Sequence, residues 1–413
     1  MDVEVLITGA RAPNGKEPLS LGIVGERIAH LGDGEGVRAG RVIDAQGCLL
    51  LPGLVEPHAH LDKTYSVAAL PPGPASEQGA LREAIAAMGQ HKAERSIDEM
   101  LERADAALKR ATACGVSVLR SHVDVGAPAD LDNLRALLDL GRAHRHRIAL
   151  RLTVLSDPGS RDGFALSREA LALGADAIGG APALTTDPQR SISASFDLAE
   201  ASGCAIDLHI DENEDPRSPC LEQLADEARR RRWQGDLRAS HCCALGFARK
   251  SDRDRIIGKV AEAGIDIVAL PACNLFLMGR GQEPVPRGIA PVNALQEAGV
   301  NVCVGTDNVQ DPFHALGDYD PLANAALLFN AAHFGGQDVG RALRLATDNA
   351  AQALGLGDGY GLQAGALANF SLYRCNGPLA ALTERPLRSW VFFRGRPILR
   401  QSLAQNWLVG DGR

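Results

Sequence analysis

Short apolar runs alternate with longer amphipathic stretches through the middle of the chain. Residues 96–113 and 131–145 are examples of the longer stretches, and their apolar positions recur with helical spacing. Alternating strands and helices are typical of βα units around a parallel sheet. Eight apolar runs occur in order, which predicts an α/β fold, a (β/α)8 TIM barrel. The runs are CLLLPGLVEPHAH, GVSVLRSHVDV, RIALRLTVLS, ADAIGGAP, AIDLHIDE, LRASHCCAL, IDIVALPA and NVCVGTDN.

Both ends of the chain have a different pattern, with short alternating segments separated by glycine-rich turns. The first part contains VEVLITGA, SLGIVGERIAHLG and GRVIDAQG, and the last part contains NFSLYRC and RSWVFFRGRPIL. We expect residues 1–50 together with 358–413 to form a small β-sandwich domain, and residues 51–357 to form the barrel. The structure-poor stretch PPGPASEQGA, residues 71–80, is expected to be a loop over the barrel mouth.

Polar side chains follow six of the eight apolar runs, at the end where a barrel carries its active site. His58 and His60 are two residues apart, so on a strand they point to the same face. They would either close the strand or bind one divalent metal ion, which takes three or four nitrogen or oxygen ligands. In a closed barrel the first and eighth strands are neighbours, so Asp307 can reach the same centre, and His209 can reach it from across the mouth. The polar residues at the strand ends are His58, His60, His122, Asp124, Asp157, His209, Glu212, His241 and Asp307.

Composition excludes several classes of partner. The 413 residues are 45% hydrophobic and carry a net charge of −8, which argues against nucleic acid or an anionic membrane as a partner. The nine cysteines are odd in number and include no CxxC pair, so a disulfide scaffold is not expected and a reducing compartment fits. The chain has no apolar run of membrane-spanning length and no signal-like N-terminus. We expect a soluble cytoplasmic protein.

Four segments in order, PHAHLDK, DLHIDENEDP, RASHCCAL and VGTDNVQDPF, resemble the amidohydrolase superfamily, specifically its cytosine deaminase-like branch. The likeness covers nearly the whole chain, including the split β-domain at its ends. It implies a metal-dependent catalytic barrel with one divalent ion, Fe2+ or Zn2+, held by His58, His60, His209 and Asp307. Binuclear members of the superfamily bridge two metals with a carboxylated lysine on strand four. That strand reads ADAIGGAPAL here and contains no lysine, so we expect a single ion.

The resemblance implies hydrolytic deamination of a small nitrogen heterocycle by metal-activated hydroxide, with cytosine as the leading substrate. Glu212, three residues after His209, is the expected proton shuttle. Its competitor is a purely structural acidic loop, since Asp211 precedes it. His241 is expected to polarise the attacking hydroxide, and Asp307 to accept a proton as well as bind metal. General acid–base catalysis of this kind contributes about 10²- to 10⁴-fold.

The expected substrate contacts depart from cytosine deaminase at three places. Cytosine deaminase has a glutamine that reads the pyrimidine edge, where this chain has Asp157. It also has an aspartate after the metal ligand and a tryptophan, where this chain has Asn308 and Phe313. An ionised carboxylate only accepts hydrogen bonds, so Asp157 would suit a ring that presents two donors. We also expect His122 to contact the substrate, although support of neighbouring site residues is an equal alternative.

Several alternatives stay open at this point. One alternative to cytosine is an N-substituted amino-triazine of the N-isopropylammelide type. Another is a cyclic amide, the kind of substrate that dihydroorotases hydrolyse, and those enzymes usually need two metal ions. A third alternative is a non-catalytic barrel that only binds a small molecule, which would need neither Glu212 nor His241. Lys63 is expected to form a salt bridge or to hold an anionic ring substituent. Nearly all histidines of the flanks and helices are expected at the surface, and His314 is the one whose role stays open. A homo-oligomer is a possible assembly.

Overall fold

The computed structural model describes residues 1–13, 18–69, 80–127 and 129–404. The predicted mouth loop at 71–80 lies outside these residues, apart from the first residue of a helix. The strands are β1 (Asp2–Arg11), β2 (Pro18–Val24), β3 (Arg27–Gly32), β4 (Arg38–Asp44), β5 (Leu49–Pro52), β6 (Leu54–Ala59), β7 (Val116–Asp124), β8 (Ala149–Ser156), β9 (Ala177–Gly180), β10 (Ala205–Ile210), β11 (Leu237–His241), β12 (Asp266–Ala269), β13 (Val302–Val304), β14 (Phe370–Tyr373), β15 (Arg388–Phe393) and β16 (Arg396–Arg400).

The α-helices lie mostly between the strands of the central part of the chain. They are α1 (Ala80–Glu94), α2 (Ile97–Ala113), α3 (Asp130–His144), α4 (Arg161–Leu173), α5 (Pro188–Ser202), α6 (Cys220–Arg231), α7 (Cys243–Phe247), α8 (Lys250–Glu262), α9 (Pro271–Leu277), α10 (Val292–Glu297), α11 (Pro321–Ala331), α12 (Val339–Leu345), α13 (Asp348–Ala353) and α14 (Pro378–Thr383). Residues Met1–Gly53 and Asp358–Arg413 form one compact unit, and residues Leu54–Gly357 form another.

The central unit is the predicted (β/α)8 barrel. Strands β6 to β13 lie side by side in chain order, and each is parallel to the next. A parallel bridge between Ala59 and Asp307 joins the end of β6 to the segment after β13, which brings the two edges of the sheet together. The carboxyl ends of the strands therefore meet at one mouth, which confirms the predicted fold class.

The first predicted strand is in fact two strands that belong to different sheets. The run CLLLPGLVEPHAH is divided at Gly53 into β5 and β6. Strand β5 pairs with β14 in the sheet of the terminal segments, whereas β6 pairs with β7 in the barrel. Every residue of both strands is buried, and no polar side chain occurs from Leu49 to Val55, so the pattern conceals the change of sheet at Gly53.

Helix α2 illustrates why the amphipathic stretches become the outer layer of the barrel. It begins after Ser96, whose side chain accepts a hydrogen bond from the Glu99 amide. Its buried residues recur every three or four positions and include Met100 and Leu108, which gives one apolar stripe against the sheet. Burying a side chain such as Leu108 contributes about 1.5–3 kcal/mol. The helix ends before Gly115, whose φ of 87° turns the chain into β7.

The terminal segments form the small β-domain that the alternating pattern predicts. Their mixed sheet runs in the order β16-β15-β14-β5-β1-β2-β3, with β4 parallel to β1. The pairing of β14 with β5 joins the C-terminal segment to the N-terminal one. Phe370 and Phe392 stack in its core with ring centroids 4.5 Å apart, and both are fully buried.

Within the described residues, none of the helices has both the length and the apolar character that crossing a bilayer requires.

Candidate active site

Four side chains from three distant segments meet at the carboxyl end of the barrel. His58 and His60 come from β6 and the residue after it, His209 from β10, and Asp307 from the loop after β13. His60 Nε2 lies 3.2 Å from Asp307 Oδ1 and 3.3 Å from His209 Nε2, and His58 Nε2 lies 3.4 Å from Asp307 Oδ1. Ligands about 2.0–2.1 Å from one tetrahedral ion are about 3.3–3.4 Å apart, so these distances fit a shared cation.

The hydrogen bonds around this cluster leave its inward-facing atoms free. His58 Nε2 and both carboxylate oxygens of Asp307 are buried and have no hydrogen-bond partner among the described residues. The Ser240 hydroxyl lies 2.9 Å from His58 Nδ1 and 3.4 Å from Asp207 Oδ1. A carboxylate only accepts, so the hydroxyl donates to Asp207 and accepts from His58 Nδ1–H, which leaves the Nε2 lone pair free to bind a metal.

A buried glutamate holds the two edges of the barrel together behind this cluster. Glu56 accepts hydrogen bonds from the backbone amides of His58 and Thr306, each at 3.0 Å. A side chain at Gly305 would place its Cβ 3.0 Å from Glu56 Oε1, so a glycine is needed there. Burial raises the pKa of Glu56 to about 8, although the two amides lower it.

The strand ends that carry the site have unusual backbone conformations. His241 has a φ of 67° and Asp307 a φ of 60°, in the left-handed region that residues other than glycine rarely adopt. Cys242, next to His241, has a φ of 51°. Strain of about 1–3 kcal/mol per residue persists only where the surroundings enforce it, and such residues cluster at functional sites.

Glu212 and His241 lie beside the cluster and face one another. His241 Nδ1 is 3.4 Å from Glu212 Oε1 and 4.0 Å from Asp307 Oδ2. Asn274 Nδ2, on α9, lies 2.9 Å from the same ring nitrogen and fixes the ring. Burial lowers the pKa of His241 to about 3, so the imidazole is neutral. Burial and the charge of Asp307 raise the pKa of Glu212 well above its ordinary value, which favours the protonated carboxyl group.

A cavity of about 420 Å³ opens beside these groups, and Glu212, His241 and His209 lie on its wall. This volume is within the range of about 300–1,000 Å³ of small-molecule sites. Of the expected substrate contacts, Asp157, Asn308 and Phe313 also line it. Asp157 Oδ1 accepts from the Gly159 amide at 3.1 Å, and Asn308 Nδ2 donates to Asp311 Oδ2 at 2.7 Å.

His122 and His314 do not line this cavity. His122 is fully buried and not part of the wall; its ring centroid lies 4.1 Å from that of His58. His122 and the metal-ligand candidates His58 and His209 could themselves share an ion. His314 is buried, as are His91 and His144, so the expectation that nearly all histidines of the flanks and helices lie at the surface was wrong. The His314 Nδ1 lies 3.2 Å from the Asn308 carbonyl oxygen, which draws this ring inward.

A charged network lies along the same cavity. Lys63 Nζ donates to Asp124 Oδ1 at 2.6 Å and lies 3.3 Å from Asp62, and Lys92 Nζ lies 3.4 Å from Asp124 Oδ2. Burial lowers the pKa of Lys63, but Asp124 and Asp62 outweigh it and hold the pKa above its ordinary value. Lys63 is therefore charged, and it is 4% exposed.

Three residues of the site were missed by the sequence reasoning. Asn274 and Ser240 support ring nitrogens of the candidate site, and Lys92 completes the charged network. Ser240 precedes His241 in the motif RASHCCAL, and Asn274 follows the strand run IDIVALPA, so position at a strand end was an available signal for both. Lys92 lies on a helix, where the sequence offers no such signal.

Known proteins match this chain over most of its length. A model of the Amidohydrolase family matches residues 41–125 and 78–388. A pterin deaminase of Rhizobium rhizogenes is 30% identical over 374 residues, which are 87% of this chain and 82% of that protein. A crystal structure of 5-methylcytosine deaminase from Klebsiella pneumoniae, liganded with 5-fluorocytosine, matches with a TM-score of 0.90 and 31% identity over 97% of this chain and 99% of that chain.

A second solved structure has a similar fold. N-isopropylammelide isopropylaminohydrolase from Burkholderia multivorans matches with a TM-score of 0.83 and 28% identity, over 96% of this chain and 98% of that chain. These matches confirm the resemblance to the cytosine deaminase-like branch. The chain therefore belongs to the amidohydrolase family of metal-dependent hydrolases that act on carbon–nitrogen bonds.

Proposed function

We propose that this protein hydrolytically deaminates a small nitrogen heterocycle, with a single divalent ion held by His58, His60, His209 and Asp307. The observation that carries the proposal is the convergence of free, buried nitrogen and oxygen atoms at distances of 3.2–3.4 Å beside a cavity of ring-binding size. The residues fit Fe2+ or Zn2+, which accept imidazole and carboxylate ligands. The strand-four segment has no lysine to bridge a second ion.

An ion held by these four side chains would make hydroxide available at neutral pH, because metal coordination lowers the pKa of water toward about 7. Glu212, protonated and on the cavity wall, donates its proton to a ring nitrogen, which makes the amidine carbon more electrophilic. The Glu212 carboxylate then takes the proton of the added hydroxyl group and passes it to the amino group. Ammonia leaves and a ring carbonyl remains. The proton that the water lost on forming hydroxide returns to Glu212, so one water is consumed, one ammonia is released and the carboxyl group is restored.

His241 and Asp307 support this proton transfer from the opposite side. The neutral His241 ring lies between Glu212 and Asp307, where it can hydrogen-bond the attacking oxygen. Asp307, with both oxygens free, accepts a proton as well as binding the ion. General acid–base catalysis by such groups lowers the barrier by about 3–5 kcal/mol.

Cytosine is the leading substrate of this proposal, and other amino-heterocycles are its alternatives. The similar proteins are named for 5-methylcytosine, pterin and N-isopropylammelide, all of which are nitrogen heterocycles. Asp157 bears on which of these rings binds. Its Oδ1 accepts from the Gly159 amide, and among the described residues its other oxygen is left to accept from the substrate. A ring that presents hydrogen-bond donors at this position is favoured. Unpaired buried polar groups disfavour a mismatched ring by about 10⁴-fold.

The test is release of ammonia, or of the alkylamine, from a panel of cytosine, 5-methylcytosine, pterin and N-isopropylammelide, with hydantoin as a cyclic amide. The enzyme is loaded with Fe2+ or Zn2+ in separate samples. We expect amine release from at least one ring and no opening of hydantoin. Opening of hydantoin, with two ions per chain, would favour cyclic amide hydrolysis instead. Absence of turnover with every compound would favour the non-catalytic alternative.

A further inference from the structure

A second chamber continues from the cavity beside the candidate metal ligands. Its volume is about 830 Å³, against about 420 Å³ for the first. The two spaces adjoin, because both are lined by Leu81, Ala181, Leu184, His209 and Glu212. A single pyrimidine ring held against Glu212 would leave the second chamber to solvent.

Arg280 lies on the wall of this second chamber with its guanidinium group held in place. Its Nε donates to the Phe276 carbonyl oxygen at 3.0 Å, and the guanidinium carbon lies 4.7 Å from the centroid of the Phe276 ring. Within the part of the chain that the structure describes, no carboxylate forms an ion pair with Arg280. Its guanidinium group thus has a fixed orientation and no anionic partner among these described residues. Such a fork binds a carboxylate or a phosphate in a bidentate manner.

The acidic residues of the same chamber already have partners. Glu214 accepts hydrogen bonds from the Gly279 amide and from the Gln282 side chain. Asp215 accepts from Arg217 Nε at 3.3 Å, and this pair is exposed. Neither carboxylate neutralises Arg280. Arg82 and Arg217 also lie on the chamber wall, but Arg280 is the arginine of this wall whose guanidinium group a described aromatic ring holds in place.

We propose that the substrate is an amino-heterocycle with an extended anionic substituent, whose carboxylate or phosphate binds Arg280 in the second chamber. The inference rests on the proposed deamination and specifies its substrate class. The reacting amino group lies beside Glu212, and the substituent passes Leu81 and Leu184 into the second chamber. Because Arg280 is remote from the reacting atoms, it acts on substrate binding and not on the proton transfer.

Equilibrium binding and turnover are measured on the metal-loaded chain with two ring series. The first comprises pterin, 6-hydroxymethylpterin, its phosphate, and pterin-6-carboxylate; the second comprises cytosine and cytosin-1-ylacetic acid. The variants are Arg280→Gln, Arg280→Lys and the control Arg249→Gln, whose side chain is 87% exposed and pairs with Asp252. Melting temperatures establish that each variant is folded. The carboxylate and phosphate members separate the two anionic groups.

We expect the wild-type chain to bind anionic members of one series about 10- to 100-fold more tightly than the bare ring, the range of a charge-assisted hydrogen bond. Arg280→Gln should remove this preference without changing affinity for the bare ring, Arg280→Lys should retain part of it, and Arg249→Gln should leave it unchanged. Equal, weaker or undetectable binding of every anionic member would overturn the inference, as would a preference that survives in Arg280→Gln. Binding that depends on Arg280 without any turnover would instead reject the deamination and leave the anion site standing.

Discussion

Replacing Glu212 with glutamine removes a proton carrier while leaving the shape of the site almost unchanged. The Glu212 side chain is 14% exposed, and its Oε1 lies 3.4 Å from His241 Nδ1. Burial, reinforced by the charge of Asp307, raises the pKa of Glu212 well above its ordinary value, which favours the protonated form that a proton donor needs. A glutamine amide of the same size can hydrogen-bond but cannot transfer that proton. We expect kcat to fall by about 10²- to 10⁴-fold, or about 3–5 kcal/mol.

The assay combines steady-state ammonia release with metal analysis of the same samples. Glu212 is outside the four proposed ligands, so the Glu212→Gln chain should retain its ion. The matched control is Glu262→Gln on α8, because Glu262 is 63% exposed and pairs with Arg229. This control should keep the wild-type rate within about twofold. A kcat for Glu212→Gln within a few-fold of wild type would refute the proton shuttle. Loss of the ion together with the activity would show that Glu212 is a ligand and not a shuttle.

The remaining predictions concern the groups that support the site. Ser240→Ala removes the hydroxyl that orients His58, so metal affinity should fall by about 10- to 100-fold in a competition with a chromophoric chelator, and unchanged affinity would contradict this role. Lys63→Met should lower the free energy of unfolding by about 1–3 kcal/mol in urea at pH 7, because Asp124 then retains only Lys92. Burial raises the pKa of Asp124, but Lys63 and Lys92 outweigh it and hold the pKa below its unfolded value of about 3.9. The stabilisation is therefore present above about pH 4 and is lost as the pH falls further, so the difference between wild type and Lys63→Met should shrink from pH 5 to pH 3. A difference that grows in acid would contradict the pairing.

The barrel could be predicted because its strands and helices have different periods. Strands such as β9 and β13 are short, buried apolar runs, and the helices between the strands repeat their apolar positions every three or four residues. The candidate ligands could be predicted because a closed barrel brings all its strand ends to one mouth. His58 and Asp307 are therefore neighbours despite their separation along the chain.

Asn274 and Ser240 lie at or near strand ends, which the sequence indicates, but the roles of the supporting residues could not be predicted because they depend on distances that the pattern does not contain. Asn274 and Ser240 are ordinary polar residues until the fold places each 2.9 Å from a ring nitrogen. Lys63 and Asp124 follow different strands, and only the mouth of the barrel brings them to 2.6 Å. The change of sheet at Gly53 was also concealed, since β5 and β6 are both wholly buried. The burial of His314 depends likewise on a tertiary contact, to the Asn308 carbonyl oxygen.

The most direct test of the account is the location and number of metal ions in crystals of the purified protein. Anomalous difference maps on either side of the iron and zinc absorption edges would be combined with metal analysis of the dissolved crystals. The account predicts one ion per chain, bonded to the Nε2 atoms of His58, His60 and His209 and to the carboxylate of Asp307. A metal-loaded chain that carries no ion among these four side chains, or a second ion bridged to the first, would contradict it.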